Sequence, residues 1–242
     1  MFFYIFVLLV IIIIFLLLKI KEPMNNYENK IYVFWTGDNE MSENRSNALN
    51  NLKISECNII LINDNNLKDY ILKSHPLHDS YQYLSFTHRA DYLRTYFMHF
   101  YGGGYSDIKS TTGSWKKAFD DLNKSNNYVN GYTEIENGVA IGAELPDLYD
   151  YTKLIGNCAY ICKPRTEFTY DWYTSMIKLL DSKLDEIRKF PATFPQDCKE
   201  VSNGKYPIKW TEMLGDIFHT VCYKYKDKIL HTVPLPNFTM YR

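Results

Sequence analysis

The sequence predicts an α/β fold: a mostly parallel sheet with helices packed on its faces. Three observations predict it. Short runs rich in β-formers, residues 31–35 (IYVFW) and 58–62 (NIILI), alternate with helix-like segments. The run from Arg89 to Lys109, RADYLRTYFMHFYGGGYSDIK, reads as an amphipathic helix, a glycine stop and a short strand. The polar part of the chain, about 220 residues, is long enough for one good-sized core.

Taken in order, Met1 to Leu18 are almost wholly apolar and Lys19 opens a polar flank. That length is near the ~20 residues that cross a bilayer. The start carries no basic residue and the flank KIKEPMNN offers no small-residue cleavage site. An uncleaved anchor is therefore expected over residues 1–20, with a polar stalk over 21–30. The expected location is a membrane, with a single-pass N-terminal signal anchor of the type II kind found in Golgi or ER, or its equivalent. Two signals disagree on the side. Lys19 and Lys21 after the span favour a cytoplasmic domain. The sequons at Asn44, Asn123 and Asn237 have meaning only in a lumen.

The first strand, IYVFW, closes on the turn signal TGDN. Ser42 and Glu43 open a helix that carries Arg45, Leu49 and Leu52. NIILI is a second buried strand, Leu67–Ser74 a short helix, and His75–Ser85 a loop around Pro76. In the next helix Asp91 and Arg94 are three apart and share a face, while Leu93, Phe97, Phe100 and Tyr101 mark a buried side. Gly102, Gly103 and Gly104 end that helix, and Tyr105–Ile108 extends so that Asp107 stands at a strand exit. Further on, Tyr128–Tyr132, Val139–Ile141 and Ala159–Ile161 read as short strands. Phe168–Leu184 and Met213–Tyr223 read as helices, separated by an irregular stretch with Pro191, Pro195 and Pro207.

A formal net charge of −1 gives nucleic acid no electrostatic hold, so it is excluded as a partner. The 21 tyrosines and 14 phenylalanines fill a core, although such rings also stack on sugars and bases. Five cysteines at irregular spacing are no disulfide framework. Cys158 and Cys162, on one side of a strand, read as ordinary buried thiols.

Ligands of parallel sheets bind at the carboxyl ends of strands. Trp35-Thr36-Gly37-Asp38 and Asp107-Ile108-Lys109 both fall at such ends, so two strand exits point at one crevice. A lone surface pair such as Asp91 and Arg94 is worth only ~0.3 kcal/mol. Beside an acid at a strand exit, the same pair fits a sugar-phosphate site.

Three stretches, FWTGDNEMSENR, RADYLRTYFMHFYGGGYSDIK and PIKWTEMLGDIF, resemble the glycosyltransferases with a DXD sugar-binding motif. These are glycosyltransferase family 32 and the capsular-polysaccharide-synthesis type, related to the glucosyltransferase domain of the large clostridial toxins. The resemblance implies a GT-A type, Rossmann-like nucleotide-sugar-binding domain over residues 31–242, behind the transmembrane helix. Its donor-binding part would cover roughly 31–145 and its acceptor-side part roughly 146–242. It further implies retaining transfer from a UDP- or GDP-sugar to a glycan or polysaccharide, usually with Mn2+ or Mg2+.

The residue roles that follow rest on the resemblance. Trp35 would stack on the nucleobase, Arg45 reach the phosphates, and Asp91 and Arg94 touch sugar hydroxyls and phosphate. Asp107 would hold donor and metal, and Asn157, Trp210 and His219 would face the acceptor, with Glu212 as base. His88, one turn before Asp91, reads as a structural hydrogen-bonding group. The chain departs from the motif at Lys109, where a second aspartate normally holds the metal. Three readings stay open, ranked in this order. Lys109 replaces the metal and supplies catalytic positive charge to the leaving diphosphate; Asp107 alone binds a weaker metal; or the site is a silent nucleotide- or sugar-binding module on a membrane.

Overall fold

The computed structural model describes residues 29–136, 138, 150–202 and 204–239. The expected anchor, nearly all of the stalk, the expected strand Val139–Ile141 and the boundary near residue 145 lie outside the described residues. Among the described residues no helix is long and apolar enough to cross a membrane.

The described chain is a three-layer α/β/α unit. The strands are β1 (Lys30–Phe34), β2 (Asn58–Ile62), β3 (Gly103–Ser106), β4 (Val129–Thr133), β5 (Ile155–Cys162) and β6 (Ile229–Leu230). The α-helices are α1 (Glu43–Asn51), α2 (Phe86–Phe100), α3 (Lys116–Asn123), α4 (Glu167–Lys189) and α5 (Gly215–Lys224). The strands lie in the order β2-β1-β3-β5-β4-β6. β1 alternates cleanly: Ile31 and Val33 enter the core under α1 and α3, while Tyr32 and Phe34 enter the core under α2, α4 and α5. Burial on both faces explains why IYVFW is apolar throughout.

The sheet is mostly parallel, as expected: β1, β2 and β3 run one way, β4 and β6 pair parallel, and only β5 runs antiparallel to its neighbours β3 and β4. The reversal of β5 has no sign in the sequence, because an extended stretch does not encode strand direction; only the return path of the chain sets it. A correction concerns the cysteines. Cys162 joins the α2 side of the core and Cys158 packs against the other. Between the pairs Gly131↔Tyr160 and Thr133↔Ile155, β4 advances two residues and β5 five. That bulge breaks the two-residue period and sends Cys158 to the opposite face.

Local chemistry sets the helix ends. Ser42 Oγ accepts from Arg45 N at 3.2 Å and Ser85 Oγ from His88 N at 3.3 Å, so α1 and α2 each begin on a serine cap. Thus α2 starts at Phe86, earlier than its apolar pattern suggests. At its end Gly102 takes φ +65° and its N–H bonds Phe97 O at 3.0 Å, a left-handed cap that a side chain would block against Pro164. Gly103 and Gly104 then belong to β3 instead of stopping the helix, and β3 ends at Ser106. The expected helix over Leu67–Ser74 is a single 3-10 turn, Leu67–Tyr70, because Ile71 is already extended. α4 runs to Lys189, well past the expected Leu184, from a capping box between Thr166 and Thr169.

Candidate active site

Three elements converge at the carboxyl end of β1 and β3. α2 lies across the sheet, buried nearly all round, and presents Asp91 and Arg94 toward Tyr105 and Asp107. The Arg94 guanidinium sits 4.4 Å from the Tyr105 ring centre, 3.0 Å from Asp91 Oδ1 and 3.5 Å from Asp107 Oδ1. It also donates to Asn157 O at 3.0 Å, across the β5 bulge. Asp107 N bonds Cys158 O at 2.7 Å, after which the chain reverses and Lys109 N bonds Asp107 O at 2.7 Å. This tight turn folds the Lys109 ammonium onto Asp107 Oδ2, with Cys158 Sγ 3.1 Å away. Tyr105 Oη donates to the other carboxylate oxygen, Oδ1, at 2.6 Å.

The cluster is electrically uneven. Burial opposes charge on Asp107, but Lys109 and Arg94, with hydrogen bonds from Lys109 and Tyr105, hold its carboxyl well below the usual range. Burial likewise opposes charge on Lys109, and Asp107 outweighs it, keeping the ammonium protonated. Asp91 differs. Burial pushes it up to about 6; Arg94 pulls it down and Asp107 pushes it further up. One carboxylate is therefore held ionised, while its neighbour's pKa is pushed up to about 6.

A cavity of roughly 370 Å3 opens beside the cluster. Arg45, Arg94 and Asp107 line it together with Trp35, Phe86 and Tyr105. Trp35 is half-buried and its Nε1 donates to Asn39 O at 2.9 Å, which fixes the indole in the cavity wall. Arg45 Nη1 donates to Ile108 O at 2.9 Å, joining the start of α1 to the strand exit of β3. Gly37 sits at φ +111° where a Cβ would strike the Phe86 ring at 2.2 Å, so only glycine lets β1's exit turn pass α2.

The structure thus brings Trp35, Arg45, Asp91, Arg94, Asp107 and the Asn157 carbonyl to one place. Lys109 stands behind Asp107 and Asp91 behind Arg94; both are buried and neither lines the cavity, so Asp91 is placed to hold Arg94 and not, as expected, to touch the sugar. The other acceptor-side candidates are held elsewhere. Glu212 pairs with Lys183 at 2.8 Å and accepts from Lys209 N at 2.9 Å. His219 is buried with its Nε2 3.3 Å from Glu134 Oε2. Trp210 is exposed, with its N–H on Glu200. None of the three lines the cavity. His88 is buried against Tyr206 and Ser85, its pKa pushed down to about 4 by burial, and plays the structural part expected of it.

Sequence reasoning missed Tyr105, Phe86, Cys158 and the Pro195–Gln196 segment that completes the cavity wall. A tyrosine two residues before a strand-exit acid shares its face, so Tyr105 was legible. Pro195 reaches the site because its carbonyl accepts from Thr87 N at 3.1 Å, a contact with no local signal.

A divalent cation needs carboxylate oxygens free to ligate it. Both oxygens of Asp107 are engaged by Tyr105 and Lys109, and no group of three His, Cys, Asp or Glu side chains is gathered among the described residues. This donor set does not fit the expected Mn2+ or Mg2+ on Asp107; an ammonium and a guanidinium flank the carboxylate instead.

Among solved structures, the PaToxG glycosyltransferase is similar over 81% of this chain and 69% of that one, with 12% identity and a TM-score of 0.45. No curated protein matches the chain significantly. Residues 13–137, just over half of the sequence, match the family described as capsular polysaccharide synthesis protein. By its strand-exit acid, its helix pair and this match, the chain belongs to the capsular polysaccharide synthesis protein family.

Proposed function

We propose that this protein is a membrane-anchored glycosyltransferase of the hexosyl-transferring, GT-A kind. It moves a sugar, with retention, from a UDP- or GDP-sugar to a glycan or polysaccharide. The observation that carries the reading is the Arg94–Asp107 pair open to one aromatic-walled cavity, with buried Asp91 holding Arg94 from behind. Family membership and the resemblance of the RADYLRTYFMHFYGGGYSDIK run support it.

The chemistry follows from charge. The bond between the sugar's anomeric carbon and the donor phosphate breaks, the electron pair leaves on the phosphate oxygen, and the sugar becomes oxocarbenium-like. Arg94 and Arg45 face the cavity and supply positive charge where the diphosphate gains its negative charge. Ionised Asp107 orients Arg94 and stabilises the sugar cation. Lys109 holds Asp107 ionised from behind, so its contribution passes through that carboxylate. Trp35 stacks on the base. The acceptor hydroxyl attacks the face the phosphate leaves, and its proton goes to the departing phosphate oxygen.

Release of free nucleotide from a panel of UDP- and GDP-sugars by the full chain tests this. Turnover that persists in EDTA fits the cationic site; turnover that requires manganese defeats the metal-free account. A second reading, a silent nucleotide-binding module, is favoured by the full occupancy of Asp107's oxygens. Tight nucleotide binding with no turnover on any donor would establish it.

A further inference from the structure

The segment between α4 and α5 forms an irregular cap beside the cavity, and its surface matches neither a core nor an ordinary polar surface. Phe194, Val201 and Trp210 are 44%, 57% and 42% exposed. Lys199, Lys205 and Lys209 are exposed among them. The cap is one compact piece. Lys199 N bonds Ile208 O at 2.7 Å, Gly204 N bonds Lys199 O at 3.1 Å, and Trp210 N bonds Glu200 Oε2 at 3.1 Å. Asp197 N bonds Phe194 O at 3.1 Å and thereby ties Phe194 to the same unit. Its acids are fewer at the surface: Asp197 is buried on Thr193, and Glu200, which accepts from the Trp210 amide, is the one exposed acid against three exposed lysines among these described residues. The exposed surface is thus aromatic and aliphatic, with lysines outnumbering the single exposed acid.

We propose that this cap rests on an anionic lipid surface. Aromatic side chains gain by entering the headgroup region, and each lysine near an anionic leaflet is worth ~1 kcal/mol. A glycan fits less well. Val201, the most exposed of the three, neither stacks on a sugar ring nor hydrogen-bonds its hydroxyls. The inference stands whether or not the protein transfers sugars. If it does, Pro195 and Gln196, which line the cavity, place the cap's lipid contact at the cavity's rim.

The test uses the full chain in nanodiscs of phosphatidylcholine alone and of phosphatidylcholine with phosphatidylglycerol, each with brominated acyl chains. Fluorescence quenching that Trp210→Phe removes reports on this tryptophan alone. The proposal expects strong Trp210 quenching in the anionic discs, several-fold less in the neutral ones, and the same loss in Lys199→Glu/Lys209→Glu. Absent quenching in anionic discs, or quenching unchanged by charge reversal, overturns it. So does relief of the quenching by a soluble uronic-acid oligosaccharide at constant salt, which would make the cap a glycan platform.

Discussion

The two halves of the sheet treat charge in opposite ways. At the end of β1 and β3, Arg45, Arg94 and Asp107 are drawn together against a cavity. Around β4 and β5, Glu134 faces His219 inside the core, and beyond them Glu212 closes on Lys183. The first group has open space to act on; the second is consumed by its own partners. A charged side chain at a family-like position is therefore a site residue only where the fold leaves it a cavity. Buried pairs without one hold packing together, and removal of one partner strands the other.

Several measurements can break or sharpen that contrast. The largest effect is expected at Asp107. Asp107→Asn removes the anion between two cations, and nucleotide release should fall by about 100- to 1,000-fold, the scale of a lost electrostatic contact at a reacting centre. Steady-state turnover checks this; a loss under tenfold would move the chemistry elsewhere. Lys109→Met comes next. It leaves Asp107 beside Asp91 without its nearer cation and should lower unfolding free energy by about 3 kcal/mol, read by urea denaturation. Turnover should fall too, and added manganese should not restore it.

Trp35→Ala should weaken UDP or GDP binding by about 1–2 kcal/mol, the worth of one base stacked on an aromatic ring. Calorimetry would show it, and unchanged affinity would return Trp35 to a packing role. A pH profile then separates the two acids. Asp91 titrates at about 6, so as pH falls through that value it gains a proton and loses its charge toward Arg94, while Asp107 stays ionised. Donor binding should decline on that acid limb, and Asp91→Asn should abolish the limb. Stability has the opposite sign: a raised carboxyl destabilises the fold above its pKa, so this group's penalty fades between about 6 and the unfolded value near 4. The smallest effect is expected at Glu212→Gln, about 1–2 kcal/mol of stability from the weakened contact with Lys183. A collapse of turnover with stability intact would put Glu212 at the reaction after all and erase the boundary between the halves.

Much of the first half was legible because its signals are local. Ser42 caps α1 through a bond to the residue three positions on; Ser85 does the same for α2, although the sequence reads there as the end of a loop. Even there, the turn that folds Lys109 onto Asp107 was not legible: the sequence pointed Lys109 toward the diphosphate. The second half depends on pairings across long separations. The bulge in β5 aims Asn157 O at Arg94 and Cys158 at Lys109, and it shows only in the register against β4. Similarly, Pro195 joins the cavity only because Thr87 holds its carbonyl.

By itself, then, the amino-acid order determined α1, α2, α4 and α5 and the strands β1 to β5, though not α3 or β6, together with the acid at a strand exit and the Asp91–Arg94 spacing. Each is written in periodicity or in contacts a few residues apart. Tertiary structure alone decided the direction of β5 and that Lys109 backs the carboxylate without facing the cavity. It also decided that Glu212 and His219 are paired off. Those outcomes follow from which distant backbones meet and how much room is left between them, and no local pattern encodes either.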